Sequence, residues 1–413
     1  QATEAHTGNQ ARTLVRTHSS TLMLTPASTL DIARTPALTP SKRPSKRPRV
    51  RRPTAALAAA AAFSAASESS YLFNIGEGLV RGIVLQRPSA VNKSPYVGDV
   101  RLSCGRVALV HMPSMDMGGK CFPGVECLLK TQVNKAGLPI GPDAMGSKTY
   151  SRVDPVTGET TMYKMAKCEF TLQLLRVVEP ENKDLPGGDG GCWVGAHPSL
   201  GEKAASALLE GDTLVNELGG VKIEKVQREV KGVAGTDMRC DFLLTHADGS
   251  KTVVEVKTVV DTDFDPTLSP PDRFPVKKSR PPIVLGTGDP YKRAAIFPWG
   301  GGNQKGPDGE KVVSARAIKH VRELTDIARG VKTEEGIALK AAVLFVVVRR
   351  DAQSFRPNKQ ACPSFARYLR EAKAAGVRVI ARRVRFGEAA GESLGTAIDD
   401  GPIEADLGFD RAP

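Results

Sequence analysis

The sequence lacks the cysteine and histidine patterns of disulfide-rich and zinc-binding proteins. Its seven cysteines are an odd number without any Cys-x-x-Cys pair, and its six histidines form no His-Glu-x-x-His motif. Neither a disulfide framework nor a zinc site is therefore indicated. A reduced, intracellular protein is the simplest interpretation.

Long apolar runs are absent as well. No segment approaches the roughly 20 apolar residues that a helix needs to span a bilayer, so we expect no association with membranes. The stretch "GEGLVRG", which begins at Gly76, has glycines at the wrong spacing for a dinucleotide fingerprint. Membrane proteins and dinucleotide-binding folds are thus both disfavoured.

Acidic residues are scarce in the N-terminal segment. Residues 1–70 hold ten Lys and Arg against three Asp and Glu, and so account for seven of the thirteen net positive charges. This stretch includes "SKRPSKRPRVRRP" from Ser41 to Pro53 and is predicted to be a disordered basic leader. A nuclear signal, a transit peptide to an organelle (plastid or mitochondrion) and a plain linker are the three alternatives. The basic balance favours nucleic acid as the partner.

The rest of the chain divides by its hydrophobic pattern into two predicted domains. Residues 71–180 hold short β-rich runs separated by Gly, Pro and Asn, which predicts a small barrel or sandwich. Residues 192–386 alternate strands with helices, which predicts an α/β domain. Its run "AAVLFVVV" has no polar residue and therefore fits the centre of a sheet covered on both faces. Residues 261–313 are predicted to be a Pro/Gly-rich insertion, and residues 387–413 a loose tail.

Two acidic residues converge on a predicted hairpin of the second domain. Asp248-Gly249 is a strong turn signal between "CDFLL" and "VVEVKTVV". A three-residue loop pairs Asp241 with Glu255 and puts Lys257 on the same face, whereas a two-residue turn puts the carboxylates on different faces. Facing carboxylates repel, and a Mg²⁺ or Mn²⁺ ion between them would remove the repulsion.

This layout is typical of a metal-dependent phosphodiester nuclease. Asp241 and Glu255 are the candidate metal ligands, and Lys257 would orient a metal-activated water or lower its pKa. Such sites usually hold a further acid, for which Glu217 at the end of a predicted helix is the first candidate and Glu229 on a predicted strand the second. The alternative is a salt-bridged solvent face of Glu255 and Lys257, worth under about 1 kcal/mol.

The order of motifs resembles that of the sugar fermentation stimulation protein family (SfsA). "CDFLL…VVEVKTV" is followed by "FP" at Phe297-Pro298, "RAIKHVREL" from Arg316, "AAVLFVVVRRDAQSFRPN" and "FARYLREAKAAGVRV". The similarity covers most of residues 202–384. It implies an α/β (α+β) protein with an OB-like N-terminal β-barrel and a C-terminal PD-(D/E)xK, or restriction-endonuclease-like, domain that binds DNA.

Basic residues of the second domain are candidates for contacts with nucleic acid. Carried over by position, Arg316, Lys319 and His320 match the R-x-x-K-H helix motif of the family. They fall at i, i+3 and i+4, hence on one helix face, which suits a phosphate backbone. An ordinary solvated face is the alternative. Three further candidates follow the central strand: Arg349, Arg350 and Arg356.

The predicted function is a DNA-binding protein with a Mg²⁺-dependent phosphodiesterase site of the nuclease type. A non-catalytic nucleic-acid-binding or regulatory protein is the alternative, so enzymatic activity is left open. The expected partner is DNA, single-stranded or bound without sequence preference, and homodimer formation is left open. OB folds commonly stack bases on aromatic side chains, and the first domain offers few, so no strong stacking platform is expected. They are Tyr71, Phe73, Tyr96, Phe122, Tyr150, Tyr163 and Phe170.

Overall fold

A computed structural model describes residues 71–114, 117–183, 190–268, 284–286, 290–387 and 392–408. The predicted leader lies outside the described residues, as do residues 269–283 and 287–289 of the predicted insertion. Within the described part, no helix is long and apolar enough to cross a membrane. The fold of this part is mostly β-sheet with three α-helices, an α+β architecture.

Five strands of the N-terminal half close into a ring. The strand order is β4-β3-β2-β5-β8, and a parallel pairing of β4 with β8 closes it, while β9 extends the sheet beside β8. The ring encloses its own apolar core and fits an OB-like barrel. The strands of this half are β1 (Tyr71–Asn74), β2 (Val80–Gln86), β3 (Val97–Leu102), β4 (Val107–His111), β5 (Glu126–Thr131), β6 (Met145–Val153), β7 (Thr160–Ala166), β8 (Phe170–Val178) and β9 (Gly191–Gly195).

A seven-stranded sheet organises the C-terminal half. Its order is β1-β20-β19-β17-β12-β11-β10, with β12, β17 and β19 parallel and the remaining pairs antiparallel. The strands that join β1 in this sheet are β10 (Ile223–Lys231), β11 (Arg239–His246), β12 (Lys251–Val259), β17 (Lys340–Val347), β19 (Arg378–Phe386) and β20 (Thr396–Pro402). The first strand of the described chain therefore pairs with its last long strand.

Helices cover both faces of this sheet: α1 (Ser199–Glu210) on one face, α2 (Ala315–Ala328) and α3 (Pro363–Ala374) on the other. Side chains alternate along a strand, so Leu344 of β17 packs with the α1 core and Phe345 with the α2 and α3 core. The prediction of a central strand buried on both faces is confirmed. Three apolar side chains of α2 that face this sheet are also buried: Ile318, Val321 and Leu324.

Short elements complete the described chain. A four-stranded sheet has the order β13-β14-β18-β21, and β15 pairs with β16. The described parts of the predicted insertion thus hold strands rather than unstructured loop alone. The ranges are β13 (Asp261–Thr262), β14 (Ala294–Phe297), β15 (Gln304–Lys305), β16 (Lys311–Val312), β18 (Ser354–Pro357), β21 (Glu404–Ala405) and three single-turn 3₁₀ helices at Met117–Gly119, Pro180–Asn182 and Val233–Gly235.

The predicted loose tail is the main correction to the fold. Residues 396–402 form β20, which lies inside the large sheet between β1 and β19. Asp399 of β20 is buried and accepts a hydrogen bond from Nε of Arg382 on β19 at 2.8 Å. Asp399 of the tail therefore neutralises a buried arginine, a role that composition alone does not reveal.

Candidate functional site

The hairpin of β11 and β12 has the three-residue loop. The amide of His246 donates to the carbonyl of Ser250 at 2.8 Å, which closes the loop over residues 247–249. Gly249 has φ 77°, in the left-handed region where glycine carries little strain. The loop length sets the register of every residue pair that follows on the two strands.

Asp241 lies where the ladder between the two strands ends. The register pairs Phe242 with Val254, so the next residues, Asp241 and Glu255, oppose each other on one face of the sheet. Oδ2 of Asp241 accepts a hydrogen bond from the amide of Val256 at 2.7 Å. This bond fixes the Asp241 carboxylate against β12.

Glu255 is a buried carboxylate that is hydrogen-bonded through one oxygen. Its Oε1 accepts hydrogen bonds from Nδ1 of His320 on α2 and from Nζ of Lys257, whereas Oε2 is buried with no hydrogen-bond partner. The side chains of Glu255 and Lys257 are 2% and 14% exposed, so the alternative of a solvated salt bridge is wrong. Leaving a buried carboxylate oxygen unpaired costs about 1–3 kcal/mol or more.

The pKa values of the two carboxylates shift in opposite directions. Burial, followed by the negative charge of Glu255, raises the pKa of Asp241. Burial also disfavours ionised Glu255, but the hydrogen bond from His320 and the positive charge of Lys257 together outweigh burial and lower its pKa. Glu255 is therefore favoured in its ionised form, and its negative charge disfavours ionisation of the neighbouring Asp241.

A third acid, on α1, makes a smaller electrostatic contribution at Asp241. Glu202, in the first turn of this helix, adds to the charges that raise the pKa of Asp241. The helix passes close to β12, because a Cβ on Gly201 would lie 1.9 Å from Oγ1 of Thr258. The sequence analysis did not consider Glu202 and chose Glu217 at the end of the predicted helix, whereas α1 ends at Glu210. An acid in the first helical turn was the available signal.

The two acids that the sequence favoured have other partners. Glu217 lies in a turn after α1, and its Oε1 is 2.6 Å from Nη1 of Arg382, so its predicted role beside the hairpin is corrected to a structural ion pair. Glu229 lies across from Asp241 on β10, but it is exposed with φ 53°, and its Oε1 is 3.6 Å from Nη2 of Arg239. Its catalytic role stays a prediction.

The donor set suits an ion that keeps part of its water shell. Within the described residues, no group of three or more His, Cys, Asp or Glu side chains is arranged to hold a metal. Asp241 and Glu255 offer two carboxylates, one of them with a buried oxygen lacking a partner. Mg²⁺ is commonly held by one or two carboxylates together with waters and substrate phosphates, so the residues present fit Mg²⁺.

A groove of about 780 Å³ opens beside His320 along α2. Arg316 and Lys319 are exposed at this groove, and Nζ of Lys319 lies 2.6 Å from Oδ2 of Asp237. The R-x-x-K-H motif is thus divided: two cations face the groove and the histidine is buried against Glu255. The charged side chains that line the groove are Asp237, Arg239, Lys305, Arg316, Lys319, Arg322, Glu323 and Asp326.

Arg349, predicted to bind phosphate, is wholly buried. Its Nη2 lies 2.5 Å from Oδ2 of Asp351 and 3.1 Å from Oε2 of Glu179, and Arg293 joins the same cluster. Burial opposes the charge of Glu179, but the two arginines outweigh it and lower the pKa of Glu179 to about 2. The prediction for Arg349 is corrected: the side chain balances buried acids and does not reach a surface.

The two other arginines of this set lie nearer the surface. Nε of Arg356 donates to Oδ2 of Asp263 at 3.0 Å, and its side chain is 13% exposed. Arg350 is partly exposed in the turn after β17. Neither lines the groove beside α2, so their predicted contacts with phosphate stay predictions.

Comparison with known proteins gives one consistent family. A family model described as "Sugar fermentation stimulation protein RE domain" matches residues 307–390, which include α2, β17, α3 and β19 but not the hairpin. A sugar fermentation stimulation protein homologue from Parasynechococcus marenigrum is 29% identical over 50% of this chain and 63% of the relative. A homologue from a Cyanothece species is 24% identical over 73% of this chain and 87% of the relative. The match therefore spans less than two thirds of the first relative and most of the second.

A homologue from Syntrophotalea carbinolica is 27% identical over 53% of this chain and 67% of the relative. Among solved structures, "The structure of Pyrococcus Furiosus SfsA in complex with Ca2+" is similar, with a TM-score of 0.49 and 20% identity over 82% of this chain and 99% of that one. The family model and the relatives agree with the motif order read from the sequence. The chain is similar to the sugar fermentation stimulation protein family, as the motif order predicts.

Proposed function

We propose that the protein binds DNA and carries a Mg²⁺-dependent phosphodiesterase site in a restriction-endonuclease-like domain. The observation that carries this proposal is the face shared by Asp241 and Glu255, where Oε2 of Glu255 is buried without a partner. Two carboxylates with opposite pKa shifts are an arrangement that a bound cation stabilises.

Each side chain of the site has a distinct part in this proposal. Asp241 and Glu255 would hold the ion, and Glu202 adds negative charge nearby. His320 and Lys257 both donate to Oε1 of Glu255, which leaves Oε2 for the ion. Bound Mg²⁺ would supply a water of lowered pKa and neutralise charge on the phosphate. Lys257 lies next to the two carboxylates, and its ammonium group would orient the water or a phosphate oxygen.

The groove beside α2 is the proposed path of the DNA backbone. Five of its eight charged side chains are cationic, and His320 links the groove to the carboxylates. Phosphate contacts of this kind position a nucleic acid without reading its sequence. The proposal therefore predicts binding that weakens with salt and shows little sequence preference.

The test is cleavage of supercoiled plasmid and of single-stranded DNA with Mg²⁺ or Mn²⁺. Wild type should nick or degrade DNA, and Glu255→Gln should be inactive. Glu224→Gln, an exposed glutamate near the other end of β10, is the matched control and should keep wild-type activity. Equal inertness of wild type and Glu255→Gln on all substrates would remove the catalytic part of the proposal.

A second candidate function is nucleic-acid binding without catalysis. The observation in its favour is that no three-ligand metal cluster is present among the described residues. Calorimetric titration with Mg²⁺ and Mn²⁺ separates the two candidates. Metal binding by wild type that is lost in Asp241→Ala supports the phosphodiesterase, whereas DNA binding unchanged by EDTA, with no metal binding, supports the second candidate.

A further inference from the structure

A two-stranded ribbon, named the arm and comprising residues 145–166, lies outside the hydrophobic cores. Its strands β6 and β7 pair only with each other, and every residue from 147 to 164 is exposed. Tyr150 and Tyr163 oppose each other across the arm, with ring centroids 5.7 Å apart and planes inclined by 27°. They are 40% and 44% exposed, so the stacked aromatic pair is accessible to solvent.

The two strands of the arm are also basic. They carry Lys148, Arg152 and Lys164 and no acidic residue, and the turn between them holds Asp154 and Glu159. Side chains two residues apart on a strand share a face, so Arg152 lies on the same face as Tyr150. A face that combines stacked rings with cations is complementary to a ligand with flat rings and negative charge.

The position of the arm in the barrel favours the same ligand. The arm is inserted between β5 and β8, the fourth and fifth strands of the ring in chain order. In OB folds the loop between these two strands borders the surface that binds oligonucleotides. A cleft of about 800 Å³ opens at the root of the arm, and Lys135 and Lys167 line it without any carboxylate side chain.

We infer that the arm binds single-stranded DNA, with unpaired bases stacked on the Tyr150 and Tyr163 pair and phosphates on Lys148 and Arg152, which alternate with Tyr150 along the same face of β6. Only unpaired bases offer their flat faces to a protein side chain, whereas duplex bases are stacked on each other. The choice of DNA rests on the proposed function. The sequence-based expectation of no stacking platform overlooked that two of the seven aromatic residues pair across one ribbon.

The first test measures fluorescence anisotropy of a labelled thymidine 20-mer with the full chain in EDTA, so that no cleavage occurs. Removing two stacking rings with Tyr150→Leu and Tyr163→Leu should weaken binding by about tenfold or more. Tyr96→Leu is the matched control, because Tyr96 is 41% exposed elsewhere on the barrel, and should bind like wild type. Unchanged unfolding midpoints would show that the variants fold.

Binding by the tyrosine variant within twofold of wild type would overturn the inference. A blunt duplex 20-mer should bind wild type and this variant equally, and an equal loss on duplex would exclude base stacking. If the tyrosine variant lost affinity only for a uridine 20-mer and not for the thymidine 20-mer, the ligand of the arm would be RNA and the choice of DNA would be wrong.

The second test measures the dependence of affinity on salt. Lys148→Gln with Arg152→Gln should reduce the slope of log affinity against log salt by about 1.4, since each phosphate contact on a single strand contributes about 0.7. Lys164→Gln, on the opposite face of the arm, is the matched control and should leave the slope unchanged. An unchanged slope would overturn the phosphate contacts. If the tyrosine variant binds and cleaves DNA like wild type, the proposed role of the arm is wrong and the proposed phosphodiesterase is unaffected. If wild type binds DNA through the arm but does not cleave it, the proposed phosphodiesterase is wrong and the role of the arm is unaffected.

Discussion

Replacing Asp241 with asparagine should stabilise the metal-free protein and abolish its stabilisation by Mg²⁺. Asparagine keeps a side-chain oxygen that can accept the hydrogen bond of the Val256 amide, which Oδ2 now accepts at 2.7 Å. It removes the negative charge that burial and Glu255 oppose, as the raised pKa of Asp241 shows. The substitution therefore removes a repulsion and a metal ligand and keeps the local structure.

The size of the effect follows from the two charges. Like charges directly opposite in a sheet are destabilising by about 0.2–1 kcal/mol, and Asp241 is partly buried, so the free energy of unfolding in EDTA should rise by up to about 1 kcal/mol. Mg²⁺ at 100 times its dissociation constant should stabilise wild type by about 2.7 kcal/mol and Asp241→Asn by much less. Urea unfolding with EDTA or Mg²⁺ measures both quantities.

The pH dependence gives an independent check of the sign. The folded-state pKa of Asp241 lies above its ordinary value of 3.8, so the ionised group destabilises the fold above that folded-state pKa. As the pH falls through it, protonation relieves the repulsion, and the advantage of Asp241→Asn over wild type should disappear. Asp143→Asn, an exposed site, is the control. A variant less stable than wild type in EDTA, or equal stabilisation of both by Mg²⁺, would refute the reasoning.

Three further predictions concern the buried charges, the groove and the hairpin loop. Arg349→Met leaves Glu179 without one of its arginines and should cost about 3–5 kcal/mol of unfolding free energy at neutral pH, measured with urea. Folding lowers the pKa of Glu179 from 4.5 to about 2, so its ion pairs contribute their full stabilisation above pH 4.5. The difference in stability between wild type and Arg349→Met should therefore shrink as the pH falls towards 2, which an acid titration followed by circular dichroism measures. Arg316→Gln with Lys319→Gln should lower the slope of log affinity for duplex DNA against log salt by about 2 in anisotropy titrations, since each phosphate contact contributes about 0.9. An unchanged slope would mean that duplex DNA does not bind along this groove. Gly249→Val should destabilise the fold by about 1–2 kcal/mol, because Gly249 has φ 77°, and normal thermal stability of this variant would contradict the loop geometry.

Local patterns predicted the parts of the site that depend on neighbouring residues. The Asp248-Gly249 signal predicted a hairpin but left a two-residue turn and a three-residue loop open. The three-residue loop that forms determines which side chains share a face with Glu255. The alternation along β17 likewise follows from its lack of polar residues, which requires cover on both faces. Both inferences use only spacing within one or two strands.

Long-range pairing was the part that spacing could not predict. Strand β1 pairs with β20 more than 300 residues later, and no local pattern of either strand indicates its partner. The end of α1 was misplaced for a similar reason: the residues after Gly211 keep a helical pattern of apolar side chains but form turns. That error directed attention to Glu217 and away from Glu202, which lies in the first turn of the helix.

Fold stability does not explain why β12 carries a glutamate at position 255. Val253 and Val259 on the same face pack into the core beneath α2, and an apolar side chain at 255 would continue that core. Glu255 instead leaves Oε2 unpaired and requires the buried donors His320 and Lys257 for its other oxygen. Buried ionic groups can often be replaced by apolar residues of similar volume without loss of stability. The unfavourable free energy of burying Glu255 with Oε2 unpaired is explained if this oxygen binds a ligand, and the proposed Mg²⁺ is that ligand.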